Sequence, residues 1–284
     1  MSGRRVVIVG DRQDRPNLLD RACPFCPGGL EAPEPYQVRW FPNRWPPLPD
    51  GRAEVVLFSP DHHAGLSGLD AAALTRVVEC LTSRTTALAH RADVEYVLIF
   101  ENRGAEVGAT IDHPHGQIYA LAEVPDEALR ELNQPSCALC QDHLAPGAPA
   151  PDLSVSQVGS WKAQVPEAAA WPFEMLLAPV EHIPDLPSQD GDNRGDLARL
   201  LGDVLGRLDR LFDAPMPYMM WLHQRPFDGR DWPQAHLHIH VAPVWRGFGL
   251  VRFVAAGELG SGIMFNPVPP PHAALQLRRA NEDG

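Results

Sequence analysis

His113, Pro114, His115, Gly116 and Gln117 place two imidazoles one residue apart, followed by a turn-forming glycine and an amide. A neutral imidazole near pH 7 serves as nucleophile, base or metal ligand, so the pair allows a division of labour: one ring on a metal, the other available for chemistry. Cys23 and Cys26 supply the obvious partners for the first ring. Such a two-residue-spaced knuckle gives two thiolates to one tetrahedral ion with little strain, and His62 with His113 would complete four ligands. A site closed by four protein ligands is structural, and it would fix the loop that carries His115. A redox disulfide is the competing use of the pair.

Cys137, Cys140, His182 and His236 repeat the same ligand types further along. A second structural site is expected there, with His223, His238, His240 and the oxygen ligand Glu131 as a competing cluster for the second metal. Zinc is the expected ion at the first site, and zinc or iron at the second. The same histidines could equally line a pocket.

The elements that must position these residues are written twice. Alternating or continuous apolar runs predict strands at Arg4–Val9, Glu54–Ser59, Val94–Glu101, Gln117–Ala122, Phe173–Ala178, Tyr218–His223 and Leu237–Ala242, with helices over Asp70–His90 and Asp196–Phe212. Each half runs in the same order: a cysteine pair, a strand leading to a histidine (His62 or His182), a helix, a strand, and a histidine cluster. The interval from Cys26 to His62 is 36 positions and that from Cys140 to His182 is 42. This predicts an α+β fold of two related half-domains, mainly antiparallel sheet flanked by helices. The expected boundaries are 1–125, 126–266 and a proline-rich tail at 267–284, with a linker at Pro146–Pro151.

The chain has 284 residues and a formal charge of −12, from 24 basic and 36 acidic side chains. That length buries a substantial core, and that charge disfavours nucleic acid and anionic membrane as partners. Local arginines can still bind the phosphates of a small ligand. Val6–Val9 is too short for a secretory core and no run reaches membrane-spanning length, so a cytoplasmic location is expected.

Taken in order, Arg12 to Asn17, the Cys23 knuckle, Phe41 to Arg44, Ser59 to His62, Phe100-Glu101-Asn102-Arg103-Gly104, Gly108, His113 to Ile118, Trp171 to Glu174 and His223 to Phe227 strongly resemble the galactose-1-phosphate uridylyltransferase family. The alternating His236, His238 and His240 resemble the triad of the wider histidine-triad superfamily. The resemblance implies double-displacement nucleotidyl transfer: His115 attacks the α-phosphorus of a UDP-sugar, releases a sugar 1-phosphate, and passes the uridylyl group to a second one. It implies that Gln117 bonds a non-bridging oxygen, that Asn102 and Thr110 face the phosphates, and that Arg12 and Arg15 lie near the nucleotide. Asn43 matches a uridine contact, while Arg44 stands where some relatives carry an acid. Arg252, Phe253 and Glu258 match the start of the hexose-binding segment, with Gly257 where some relatives place an aromatic ring. A homodimer with active sites near the subunit interface is also implied.

Three functions remain to be separated. The first is uridylyl transfer between hexose 1-phosphates. The second is a sister nucleotide-sugar phosphorylase or adenylyltransferase using ADP-glucose or another sugar phosphate. The third is a zinc-stabilised nucleotide-binding protein without turnover, which would have no use for His115 and Gln117 beside a metal-anchored His113.

Overall fold

The computed structural model describes residues 5–13, 22–141 and 152–281; Arg15 and the Pro146–Pro151 linker lie outside the described residues. Along the chain come β1 (Arg39–Pro42), β2 (Ala53–Leu57), α1 (Ala71–Ala89), β3 (Tyr96–Arg103), β4 (His115–Leu121), α2 (Asp126–Leu132), α3 (Ala138–Gln141), β5 (Ser154–Val158), β6 (Trp161–Gln164), β7 (Met175–Pro179), α4 (Gly191–Leu211), β8 (Tyr218–His223), β9 (His238–Pro243), α5 (Ala256–Ser261) and α6 (Pro270–Arg279). The nine strands form one sheet, ordered β1-β2-β4-β3-β8-β9-β7-β6-β5, and every pairing is antiparallel.

That order is the predicted duplication made physical. Read outward from the middle, β3-β4-β2-β1 on one side matches β8-β9-β7-β6 on the other, and β5 extends the second half. The halves join through β3 and β8, paired from Ile99–Leu222 to Arg103–Tyr218. The two long helices occupy matching places and pack against each other on one face of the sheet. Each starts at an aspartate whose side chain accepts an amide hydrogen: Asp70 from Ala73 at 2.7 Å and Asp190 from Asn193 at 2.8 Å. The helices approach so closely that a β-carbon at Gly202 would stand 2.8 Å from Leu74 Cδ1.

Strand alternation divides the side chains between two faces. Val97, Ile99, Ile118, Leu177, Ile239 and Val241 enter the core with Leu74, Val77 and Val78 of α1 and Leu197, Leu201, Val204 and Leu208 of α4. Each such fully buried side chain stabilises the fold by about 1.5–3 kcal/mol before chain entropy is charged against it. His115, Gln117, Trp221, His223, His238 and His240 take the alternate positions, so the core holds the sheet from one side while the chemistry-bearing side chains leave it on the other.

The structure departs from the sequence reading at both ends. The described residues 5–9 of the expected first strand are not paired; Val6, Val7 and Ile8 are 75%, 65% and 86% exposed, and Arg5 instead bonds Glu123 and Asp126. Much of the expected tail is α6, whose Ala273, Ala274 and Leu277 are buried. Its prolines sit at the helix start, where a missing N–H costs nothing, and Arg207 of α4 donates to the carbonyls of Leu277 and Arg278 at 3.1 and 3.3 Å.

Candidate active site and metal centres

His115 opens β4 opposite Leu57. Its Nδ1 lies 2.8 Å from the His113 carbonyl oxygen, which can only accept, so Nδ1 carries the hydrogen and the lone pair of the neutral ring is on Nε2. The Phe25 ring, from the cysteine knuckle, meets the His115 ring edge-on with centroids 5.1 Å apart. Gly116 follows because space allows nothing larger: a β-carbon there would stand 2.7 Å from Phe58 Cζ and 3.3 Å from the Phe100 carbonyl oxygen.

Gln117 emerges on the His115 face. Its Oε1 lies 3.4 Å from both Asn43 Nδ2 and the Tyr119 hydroxyl, which leaves the amide hydrogens as the donating side. Asn43 is held in turn by its own Oδ1, which accepts from Trp45 N at 2.9 Å, and by its backbone N–H to the Ala53 carbonyl at 2.8 Å. Asn102 stands one step beyond the Glu101–Gly116 pair of the β3–β4 ladder, beside His115. Thr110 lies in the loop between Gly108, held at φ +83°, and the histidines. Arg12 ends a single helical turn at Gly10–Arg12.

Both cysteine quartets assemble. Within Cys23, Cys26, His62 and His113, and again within Cys137, Cys140, His182 and His236, the candidate ligand atoms all lie within 4.8 Å of one another. His113 Nε2 is 2.8 Å from the Ser59 carbonyl, and His236 Nε2 is 3.0 Å from the Pro179 carbonyl. Those bonds put the hydrogen on Nε2, so Nδ1 of each ring points its lone pair at the sulfurs, 3.6 Å from Cys26 and 3.5 Å from Cys140. Burial and the adjacent Cys23 thiol push the Cys26 thiol up, and burial followed by Cys137 pushes Cys140 up to about 11. Burial lowers His113, which favours the neutral, ligating ring. Crowded thiols beside neutral imidazoles suit a soft divalent cation with a closed tetrahedral shell.

Glu131, His223, His238 and His240 form a third group with ligand atoms within 4.8 Å of one another. From sequence this cluster competes with the second cysteine quartet; the structure builds both from separate side chains. Both Glu131 carboxylate oxygens lie 3.0 Å from His223 Nδ1, and one lies 3.4 Å from His238 Nε2. Burial opposes ionisation of Glu131, but the His223 and His238 rings outweigh it and hold the carboxyl far below its usual range. His240 stacks on Trp221 at 4.8 Å, and neither of its buried ring nitrogens has a hydrogen-bond partner among the described residues. Glu174 Oε1 stands 3.9 Å from His240 Nδ1, beyond hydrogen-bond reach, and a ring so placed in a carboxylate–histidine cluster fits a cation. A cavity of about 340 Å³ opens beside these side chains.

The segment expected to hold the hexose includes Arg252, Phe253 and Glu258. Arg252 and Glu258 are buried against each other, and Glu258 also accepts from Ala255 N at 2.8 Å and Phe265 N at 3.1 Å. The Arg252 guanidinium lies 4.3 Å over the Trp171 ring. Within one chain these two residues organise a loop, while Phe253 is 74% exposed. Sequence reasoning missed Tyr36, whose hydroxyl lies 2.9 Å from His113 Nε2, and Phe25 as a contact of His115; no spacing rule marks a lone tyrosine or the phenylalanine inside a knuckle.

Two matched halves on one antiparallel sheet, one of them carrying His-Pro-His-Gly-Gln beside a Cys2His2 group, define a class: nucleotidyltransferases built by duplication of a histidine-bearing α+β unit. Residues 46–125 match the N-terminal domain of galactose-1-phosphate uridyl transferase and residues 128–252 match its C-terminal domain, and the chain belongs to that family. It is 33% identical to a galactose-1-phosphate uridylyltransferase of Thermotoga maritima, over 96% of this chain and 94% of that one. With one from Streptomyces lividans it shares 35% identity over 90% of this chain and 78% of the other. A solved uridylyltransferase structure superposes with a TM-score of 0.85 at 28% identity, covering 93% of each chain. An ADP-glucose phosphorylase from Arabidopsis thaliana with bound ADP-glucose shares the fold, with a TM-score of 0.79 at 24% identity over 94% of this chain and 92% of that one.

Proposed function

We propose that the chain moves a uridylyl group between hexose 1-phosphates by double displacement at His115 Nε2. The observation that carries this reading is the His115 Nδ1–H bond to the His113 carbonyl, which places the lone pair on the opposite nitrogen. That lone pair attacks the α-phosphorus of a UDP-hexose. The Nε2–P bond forms as the P–O bond to the sugar 1-phosphate breaks, and the leaving phosphate oxygen takes the electron pair. A phosphate leaving group is weakly basic and needs no strong general acid. A second sugar 1-phosphate then attacks phosphorus through a phosphate oxygen, the N–P bond breaks, and its electron pair returns to Nε2.

As the first bond forms, positive charge develops on the ring and the Nδ1–H bond to His113 strengthens. The Gln117 amide, turned by Asn43 and Tyr119, donates to a non-bridging phosphoryl oxygen, and Asn102 and Thr110 lie on the phosphate side. Arg12 and Arg15 belong to the nucleotide end in this reading. Bound metal would supply cross-links between segments: Cys23, Cys26, His62 and His113 would hold one ion, and Cys137, Cys140, His182 and His236 another. The Glu131, His223, His238 and His240 group would hold a third.

A homodimer is part of the proposal. Phe248, Leu250, Phe253, Leu259, Ile263 and Phe265 are 53–74% exposed within one stretch of chain, and a second copy of the chain would cover them. A cytoplasmic setting accords with the described cysteines being unbridged thiols, and no helix among the described residues is long and apolar enough to cross a membrane. Arg44, exposed and 3.5 Å from Glu31, follows Asn43, and the sister reading differs from this one in the base accepted there.

Incubation with UDP-glucose and no acceptor should leave an acid-labile UMP adduct, one per chain, that is absent in His115→Ala. No adduct, or one that survives that substitution, overturns the assignment. The same incubation with ADP-glucose decides between the two bases.

A further inference from the structure

We propose that Tyr36 is a positioning residue for the nucleophile, its hydroxyl holding in register two groups that orient the His115 ring. The hydroxyl oxygen lies 2.7 Å from the Phe25 carbonyl, 2.9 Å from the Ser59 carbonyl and 2.9 Å from His113 Nε2. The directions of these bonds follow from what each atom can do. The carbonyls only accept, so the phenol gives its one hydrogen to them. His113 Nε2 carries a hydrogen because it also faces the Ser59 carbonyl at 2.8 Å, so the phenol oxygen accepts from the ring.

One hydroxyl thus ties together three stretches of chain: the Cys23–Cys26 knuckle, the loop leading to His62, and the start of β4. The two groups it bonds in the knuckle and at β4 are those whose other ends touch His115. Phe25 presents its ring to the His115 ring at 5.1 Å with 64° between the planes, and the His113 carbonyl accepts the His115 Nδ1–H at 2.8 Å. Tyr36 acts on the reaction through these neighbours. Without the hydroxyl, the knuckle and the histidine strand keep their metal ligands but lose the bond that fixes them relative to each other, and the Nε2 lone pair loses its fixed aim. In-line attack on phosphorus tolerates little misplacement, about 10²-fold in rate for an ångström.

This inference rests on the uridylyl-transfer reading, and the experiment separates the two. In Tyr36→Phe the metal content by elemental analysis should match the wild type and KM for UDP-glucose should stay within about twofold, while the single-turnover rate of adduct formation falls roughly ten- to a hundredfold. Histidine-ring nitrogen-15 spectra of the resting protein should show His115 with its hydrogen on Nδ1 in the wild type and a mixture of tautomers in the variant. Phe25→Leu removes the ring contact and leaves the hydroxyl in place; it should reproduce the loss in rate with KM retained, and it decides the matter should Tyr36→Phe fail to fold. An unchanged rate in a folded variant, or a rate that falls only in proportion to lost metal, overturns the proposal. A wild type that forms no adduct would defeat the uridylyl reading alone, because the tautomer comparison uses no substrate.

Discussion

On His115 the direction of a single hydrogen bond decides which nitrogen can act, and the same device recurs at its counterpart, where His238 Nδ1 lies 2.7 Å from the His236 carbonyl. The two rings then diverge. His115 is followed by Gly116 and Gln117; His238 meets Glu131 and is followed two residues later by His240. A polarised amide suits a phosphoryl oxygen, while a carboxylate among imidazoles suits a cation, so in the proposed reading the first half carries the chemistry and the second adds a cation site to its cysteine quartet. Gln117→Ala should therefore lower the rate of adduct formation by about 10²-fold with a smaller effect on KM, measured in single turnover. The candidate ligand residues were legible because cysteine and histidine at these spacings have few uses. Tyr36 and Phe25 were not, since their roles come from atoms that meet only after β2 and β4 pair.

Element by element, the long helices and the strands β2, β3, β4, β7, β8 and β9 follow from apolar periodicity, but β1, β5 and β6 did not declare themselves. Those three are short, lie toward the sheet edges and mix polar with apolar residues; β1 ends in Pro42 and β5 carries Ser154, Ser156 and Gln157. The central pair, β3 and β8, hides an ionisable group that pattern alone reads as strand. Burial pushes the Glu101 carboxyl up to about 7; the Tyr218 hydroxyl, 2.9 Å away, and Arg103 pull it down, and Asp209 raises it further. The unfolded chain titrates this group near 4.5, so between the two values the folded state holds the extra proton. Its contribution to stability is complete below about pH 4.5 and is lost as the pH rises through 7. Glu101→Gln should remove that dependence: the wild-type Tm should fall relative to the variant between pH 5 and pH 8, and parallel curves would refute the assignment.

At the scale of the whole molecule, the exposed apolar side chains of residues 248–265 are the surface that a second copy of the chain would cover in the proposed dimer. Replacing Phe253 and Phe265 together by serine should shift the mass seen by light scattering toward the monomer while leaving the fold intact, because neither side chain enters the core. An unchanged dimer mass would place the interface elsewhere.

The pairing of β3 with β8 also bears on descent. The two halves meet edge to edge with antiparallel strands from equivalent places, which is how two identical molecules related by a twofold axis would share a sheet. A single half released from the chain would expose the β3 edge as an unsatisfied row of amides and carbonyls, and the partner best shaped to cover it is another half. The sheet thus has within one chain the form that two halves related by a twofold axis would build. Carried on one chain, the halves are free to differ: Gly116 and Gln117 follow His115, whereas Ile239 and His240 follow His238.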